Sequence, residues 1–395
     1  MILARLDRTA FDATVICPDS GGPLQEKMVE LSVPVETITA LAARFTWRPD
    51  HLARYLVSFL EVIIQLRRKI IGIDPDLIHA NSVRAGLVAS AATLGLGKPV
   101  IWHVHDLLPR HPFNSLIRAV AVVSRRTRLI TVAQASADRF VGSFVSLRKR
   151  MTVILNGVDN KIFHPDQTAR RRVRDELLLS EEAPVIGMVG RLTPSKGQIE
   201  LLRAFPRVLR MFPDATLLIV GAPAFNQEHE YLHQLERTVS ELGISNKVRM
   251  LGARNDVAAI MQSLDLLILN SSSEACCLVA LEAMACGTPV LATRVGGMPE
   301  IIEHEKTGWL VPWNDEDALV AGTAKLIGEP ALRARLAEQG KNLIASCFTI
   351  ERVMNDLQNF YLKTHVQSAV VEGRSQDTQM EAKEFVSDRA VTMRM

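Results

Sequence analysis

Aromatic residues make up only 5% of this 395-residue sequence, and none interleaves with its basic clusters. Proteins that track single-stranded nucleic acid stack bases on such aromatics, so no nucleic-acid partner is expected. The cysteines number five (Cys17, Cys276, Cys277, Cys286 and Cys347) and lack the paired spacings of a zinc site. The neighbours Cys276 and Cys277 are poorly placed to bridge each other, and free thiols in a reducing cytoplasm are the simplest reading. No stretch approaches the ~18 uninterrupted apolar residues that a membrane span needs. The richest, from Tyr55 to Ile64, is broken by Ser58 and Glu61 and then meets Arg67-Arg68-Lys69. Arg5, Asp7 and Arg8 interrupt any apolar leader. These absences point to a cytoplasmic protein.

What remains is ample for two α/β domains, with 48% hydrophobic and 23% charged residues. The net charge of +3 hides an asymmetry, +8 through Pro165 and −5 after it. A basic half suggests an anionic partner, either a phosphorylated acceptor or an acidic lipid surface on which the protein is peripheral; a solvated helix face explains it equally well.

Short β-branched runs alternate with helical patterns, which predicts parallel sheets covered by helices. The expected strands are 13–17, 76–80, 100–104, 129–132 and 152–155, then 184–189, 216–220, 247–251, 264–269 and 289–293. Each set is one Rossmann-like sheet's worth. The divide is placed near Phe163-His164-Pro165, giving domains 1–165 and 166–348, a last amphipathic helix 349–363 and a disordered polar tail 364–395.

Four local patterns carry chemistry. Gly190-Arg191-Leu192-Thr193-Pro194-Ser195-Lys196-Gly197 follows a strand and opens a helix. A glycine there admits a ligand to the backbone, and cations five apart can grip a diphosphate. It is no P-loop, because Gly197 rather than Ser or Thr follows Lys196; read alone, it is equally an ordinary Gly-Pro turn. The second pattern runs from Glu274 to Gly287, with Glu282 one turn into a helix whose start suits a phosphate. Two carboxylates flanking a phosphate site suit the vicinal hydroxyls of a nucleotide sugar; the plain alternative is a loop acid and a solvated helix acid. The third, Val295-Gly296-Gly297-Met298-Pro299-Glu300, is a flexible loop after a strand or simply a turn. The fourth, Trp102-His103-Val104-His105-Asp106, closes a strand. A histidine donating a hydrogen bond to a sugar, or a core histidine satisfied by backbone, explains it better than a metal ligand.

In order and spacing these motifs resemble the large retaining glycosyltransferase family 4, whose GT-B fold is two facing Rossmann-like domains. The resemblance covers roughly residues 12–363. It is strongest from Asn156-Gly157-Val158-Asp159, which is similar to the family's interdomain Asn-Gly-Val-Asp stretch, through Glu300. It implies that Arg191 and Lys196 bind the donor diphosphate and stabilise the leaving group, while Glu274 orients the donor sugar and Glu282 holds the ribose. Leu278 and Val279 would offer backbone N–H groups to the phosphate, Ala253 and Arg254 would lie in the loop at the nucleobase, and His105 would lie near the transferred sugar. It also implies a UDP-, GDP- or ADP-sugar as donor, a glycan, lipid-linked or small-molecule acceptor, and neither metal nor cofactor.

Two departures stand out. Glu274-Ala275-Cys276-Cys277 replaces the family's usual Glu-Gly-Phe-Gly, which changes donor fit. Met1 to Arg8 resembles the end of the family's first helix and leads directly into its second strand; Gly21-Gly22 follows that strand. The expectation is an acceptor-side domain short of its first strand and Gly-Gly loop, with weakened transfer. Rival readings are a glycoside hydrolase using Glu274 and Glu282, which leaves Arg191 and Lys196 unexplained, a non-catalytic sugar-nucleotide binder, and a nucleotide-sugar epimerase.

Overall fold

A computed structural model describes residues 2–19, 22–41, 49–109, 111–224 and 228–371. The chain forms two compact units. The first takes Met1–Val132, Ala137–Ile154 and the C-terminal stretch from Met354; the second takes Ala133–Ser136 and Leu155–Val353.

Unit 1 runs β1 (Val15–Pro18), α1 (Pro23–Glu30), β2 (Val35–Ile38), α2 (Pro49–Ile73), β3 (Ile78–Ala80), α3 (Val83–Ala92), β4 (Val100–Val104), α4 (Asn114–Val123), β5 (Thr127–Thr131), α5 (Gln134–Val141) and β6 (Met151–Val153). All its ladders are parallel, but they fall into two sheets, β1-β2 and β3-β4-β5-β6. Strand β4, apolar except at His103 and buried at all five positions, is what two-sided burial requires. Trp102, Leu129, Phe140 and Leu147 form the core with Val62, Leu66 and Ile70 from α2. Ile16 of β1 and Ile38 of β2 pack on that same core, so hydrophobic burial joins the two sheets where no ladder does.

Unit 2 runs α6 (Gln167–Glu176), β7 (Val185–Val189), α7 (Gln198–Met211), β8 (Thr216–Val220), α8 (Glu228–Glu241), β9 (Val248–Gly252), α9 (Val257–Ser263), β10 (Leu266–Leu269), α10 (Leu278–Ala285), β11 (Val290–Thr293), α11 (Met298–Ile301), β12 (Trp309–Val311), α12 (Glu316–Gly328) and α13 (Pro330–Cys347). Its six parallel strands lie in the order β12-β11-β10-β7-β8-β9. The winding therefore reverses between β7 and β10. A buried arginine ties helix to sheet. Arg174 of α6 is fully buried and donates to the carbonyls of Ser263, Ser180, Glu181 and Ala183 and to Asp265 at 2.7 Å. Asp265 also accepts from Val185 N–H and from Arg170.

The α/β reading with two Rossmann-like units holds, and local expectations need four corrections. Strands β2 and β12 were not expected; each is short and paired along one neighbour. The stretch read as a helix end, Met1 to Arg8, forms turns over residues 2–10, with Asp7 accepting from Thr9. The last helix, α14 (Ile350–Val371), extends beyond Lys363, and Thr364 at the start of the added turns is buried. Residues 372–395 of the expected tail lie outside the described residues.

Candidate functional site

Ligands of open α/β sheets bind at the carboxyl ends of the strands where the winding reverses. In unit 2 that point is flanked by the loop after β7, which holds Gly190, Arg191 and Lys196, and the loop after β10, which holds Glu274. The two loops are tied together. Ser272 N–H donates to the Ser195 carbonyl at 2.9 Å, and Asn270 Nδ2 to the Gly197 carbonyl at 3.1 Å. Gly197 has a φ of 75°, and a Cβ there would fall 2.0 Å from the Asn270 carbonyl oxygen. Only glycine allows the two loops to approach so closely.

This approach joins residues 78 apart: Lys196 Nζ lies 2.5 Å from Glu274 Oε1. Ser271 Oγ donates to the same oxygen at 2.6 Å, and Glu274 is 9% exposed. Sequence reasoning named the polar loop but gave Ser271 no role; its position three residues before Glu274 is the only signal. Gly297 N–H donates to the Glu274 carbonyl at 3.0 Å, and a Cβ on Gly297 would meet the Ala275 carbonyl at 1.9 Å, so the Gly296-Gly297 turn braces the acid loop from behind. Asn156 adjoins the same loop at Cys276; burial pushes that thiol up to about 11, so it stays protonated at neutral pH.

The helix α10 begins next to the acid. Its N-cap residue Cys277 makes no side-chain bond to the first N–H groups, those of Leu278 and Val279. The Leu278 side chain is 37% exposed, so the helix start is open to a ligand. Glu282, one turn on, is half-buried, and no hydrogen bond or ion pair engages its carboxylate among the described residues. Burial holds that carboxyl above the usual range. Arg191 is more peripheral: its side chain is 45% exposed and its Nε lies 3.5 Å from Glu228. The Arg254 guanidinium is spent within the protein, on Asp256 and Glu176, which raise its pKa. What that loop leaves for a ligand is backbone at the exposed Ala253.

In unit 1, His105 lines a cavity of about 370 Å³ with Asn81, Ser82, Val83, Arg84 and Asp106. Ser82 caps α3, accepting from Ala85 N–H. Sequence reasoning missed this wall, although a polar pair after a strand and before an apolar run is a helix-start signal. Among the described residues no group of three or more His, Cys, Asp or Glu is arranged to hold a metal ion.

Two Rossmann-like units, one carrying a cation–carboxylate pair and an open helix start at its switch point, define a GT-B glycosyltransferase. The pattern of Glycosyl transferases group 1 matches residues 169–343, and that of Glycosyltransferase Family 4 matches residues 1–161. A D-inositol 3-phosphate glycosyltransferase of Stackebrandtia nassauensis is 32% identical over 320 residues, 76% of this chain and 71% of that protein. Another of that name, from Corynebacterium urealyticum, is 31% identical over 80% of this chain and 78% of its own length. The chain belongs to glycosyltransferase family 4. Its fold matches that of HepE from Anabaena in complex with UDP-glucose, with a TM-score of 0.76 and 24% identity over 88% of this chain and 91% of that one. It also matches WaaG, a glycosyltransferase involved in lipopolysaccharide biosynthesis, with a TM-score of 0.63 and 18% identity over 88% of this chain and 99% of that one.

Proposed function

We propose that this glycosyltransferase takes a sugar from a nucleoside diphosphate, without a metal and with retained anomeric configuration, and delivers it to a small phosphorylated acceptor. The observation that carries this reading is the Lys196–Glu274 pair beside the open start of α10. A donor laid along it meets its charges in sequence: Glu282 for ribose hydroxyls, the α10 N–H groups and Lys196 for phosphate, and Glu274 for the sugar. As the glycosidic bond lengthens, positive charge grows on the sugar and negative charge on the departing oxygen. Lys196, Arg191 and the helix dipole oppose the latter, so side-chain cations perform the task a metal would otherwise have. Leaving phosphate and acceptor share one face of the sugar, which preserves its configuration. The acceptor side is the cavity lined by Arg84 and His105, whose cation and helix start favour an anionic group. The relatives' names, which specify an inositol phosphate, support that choice.

The two acids separate experimentally. Once thermal-shift screening of UDP-, GDP- and ADP-sugars has identified the donor, Glu274→Gln should depress turnover and leave affinity for the free nucleoside diphosphate unchanged. Glu282→Ala should weaken that nucleotide about tenfold, the loss of a charged hydrogen bond. Calorimetry showing the reverse pattern would sink the assignment. Donor hydrolysis that no acceptor suppresses would instead favour the hydrolase reading.

A second reading, of location, rests on α2. Leu56, Val57, Leu60, Ile64 and Ile71 are all more than half exposed and share one stripe of that helix, with exposed Arg68 at its edge. No helix among the described residues is long and apolar enough to cross a membrane. An apolar stripe with flanking cations suits the surface of an anionic bilayer. Vesicles containing acidic lipid should bind the protein and release it as salt rises. Leu60→Glu combined with Ile64→Glu should abolish binding, since each buried side chain contributes about 1.5–3 kcal/mol. Cosedimentation that is absent, or indifferent to salt, removes the membrane.

A further inference from the structure

Unit 1 contains a connected row of aromatic polar groups, of which the reading above uses only His105. Tyr361, on α14, is 6% exposed, packs edge-on against Phe11 with ring centres 5.9 Å apart, and brings its hydroxyl 2.7 Å from His79 Nδ1. His79 Nε2 lies 3.3 Å from His103 Nδ1. The His103 ring, 6% exposed, stacks on that of His105 with centres 4.0 Å apart and planes 32° off parallel. His105 Nε2 lies 2.8 Å from Asn81 Oδ1. The row thus runs from the C-terminal helix to the wall of the cavity.

The chemistry of these groups sets the protons. A carboxamide oxygen only accepts, so His105 carries its hydrogen on Nε2 and leaves Nδ1 with a bare lone pair. At the other end, a phenol that donates to His79 Nδ1 obliges His79 to donate from Nε2 to His103 Nδ1. The opposite direction would bury the Tyr361 hydrogen with nothing to bond. In the favoured direction one polar atom stays unsatisfied, His103 Nε2, which is buried and has no hydrogen-bond partner. Such an atom keeps its place only if its neighbours fix the ring. Burial depresses His79 to about 4 and His103 to about 2, with mutual repulsion adding to it, and burial lowers His105 as well. The stack is therefore neutral at physiological pH.

We propose that Tyr361 and His79 are positioning residues for His105: through His103 they hold its ring so that Nδ1 faces the substrate cavity as a hydrogen-bond acceptor for a sugar hydroxyl. This inverts the expectation of a histidine that donates, and it rests on the reading of His105 as a sugar contact.

Ring-nitrogen NMR of the full chain tests it, with His79→Gln, His103→Gln and His105→Gln variants for assignment. In the wild type, His105 should show a single Nε2–H tautomer. Tyr361→Phe, which preserves the ring packing and removes one O–H, should mix the tautomers of His79 and His103 and broaden His105. It should lower kcat about three- to tenfold, the loss one neutral hydrogen bond allows, without changing affinity for the nucleoside diphosphate. Asn81→Ala, at an exposed position, should release the His105 proton to both nitrogens even if the tyrosine variant fails to fold. Unchanged His105 signals in either variant overturn the proposal. UDP-glucose is the probe that separates the two layers. A shifted Nδ1 resonance in the wild type supports the sugar contact. An unshifted one, with the tautomer effects intact, overturns the sugar contact and leaves only the relay.

Discussion

Replacing Lys196 by alanine should cut transfer about a hundredfold, the usual consequence of losing one charged group that meets a departing oxygen. The loss has two parts here. The cation that opposes negative charge on the leaving phosphate is gone, and the Glu274 carboxylate 2.5 Å away is left without it. Glu274 is 9% exposed, so solvent screens it weakly and it repels the anionic donor it was meant to orient. The two substitutions should therefore not add. In a Glu274→Gln background, Lys196→Ala should cost distinctly less than it does alone, because the repulsive part has been removed in advance. Release of nucleoside diphosphate, followed in all four proteins, measures the coupling. A single variant that keeps turnover within about threefold of the parent would show that Lys196 lies outside the reaction.

Unit 2 should lose about 3 kcal/mol when Arg174 is replaced by alanine, as breaking a buried ion pair generally costs. Four carbonyl oxygens and one carboxylate oxygen of Asp265 take hydrogen bonds from this single side chain. Its removal takes a donor from each of them, leaves the carbonyl of the buried Ser263 unpaired by it, and opens a gap between α6 and the sheet. Asp265 keeps Arg170 and the Val185 N–H, which holds the cost to the low end of the range. In a unit of this size the change corresponds to a melting shift of about 6–12 °C in calorimetry. A shift under about 2 °C would show that water replaces the guanidinium at no cost. Arg174 lies on α6, away from the switch point, so nucleotide affinity measured well below the melting range should not change.

These residues were legible in the sequence to very different degrees. Strand β4 was found with its correct limits, because a run that is apolar at every position but His103 announces a strand buried on both faces. The loops proposed to hold the donor were legible because each follows an apolar strand, and a strand's end is where an α/β fold presents a ligand. The partnership of Lys196 with Glu274 was not, since it depends on how closely Gly197 allows two loops to approach. The engagement of the Arg254 guanidinium by Glu176 and Asp256 was not legible either, since nothing local to Arg254 reveals the helix that carries Glu176. His79 and Tyr361 are 282 positions apart, beyond any periodicity argument. The short strand β2, preceded by Pro34, lacked the length that separates a strand from a loop.

The return of α14 to unit 1 has a consequence for how the protein is made. A chain leaves the ribosome from its N-terminus at about 5–20 residues per second. The aromatic seat for His79 and the acceptor that Gln358 offers to Asp7 N–H belong to unit 1 but are synthesised after all of unit 2. For the roughly 10–40 s needed to add those intervening residues, the first unit waits without its last helix while the second emerges complete. The half with fewer ladders joining its strands is thus also the half that stays unfinished longest during synthesis.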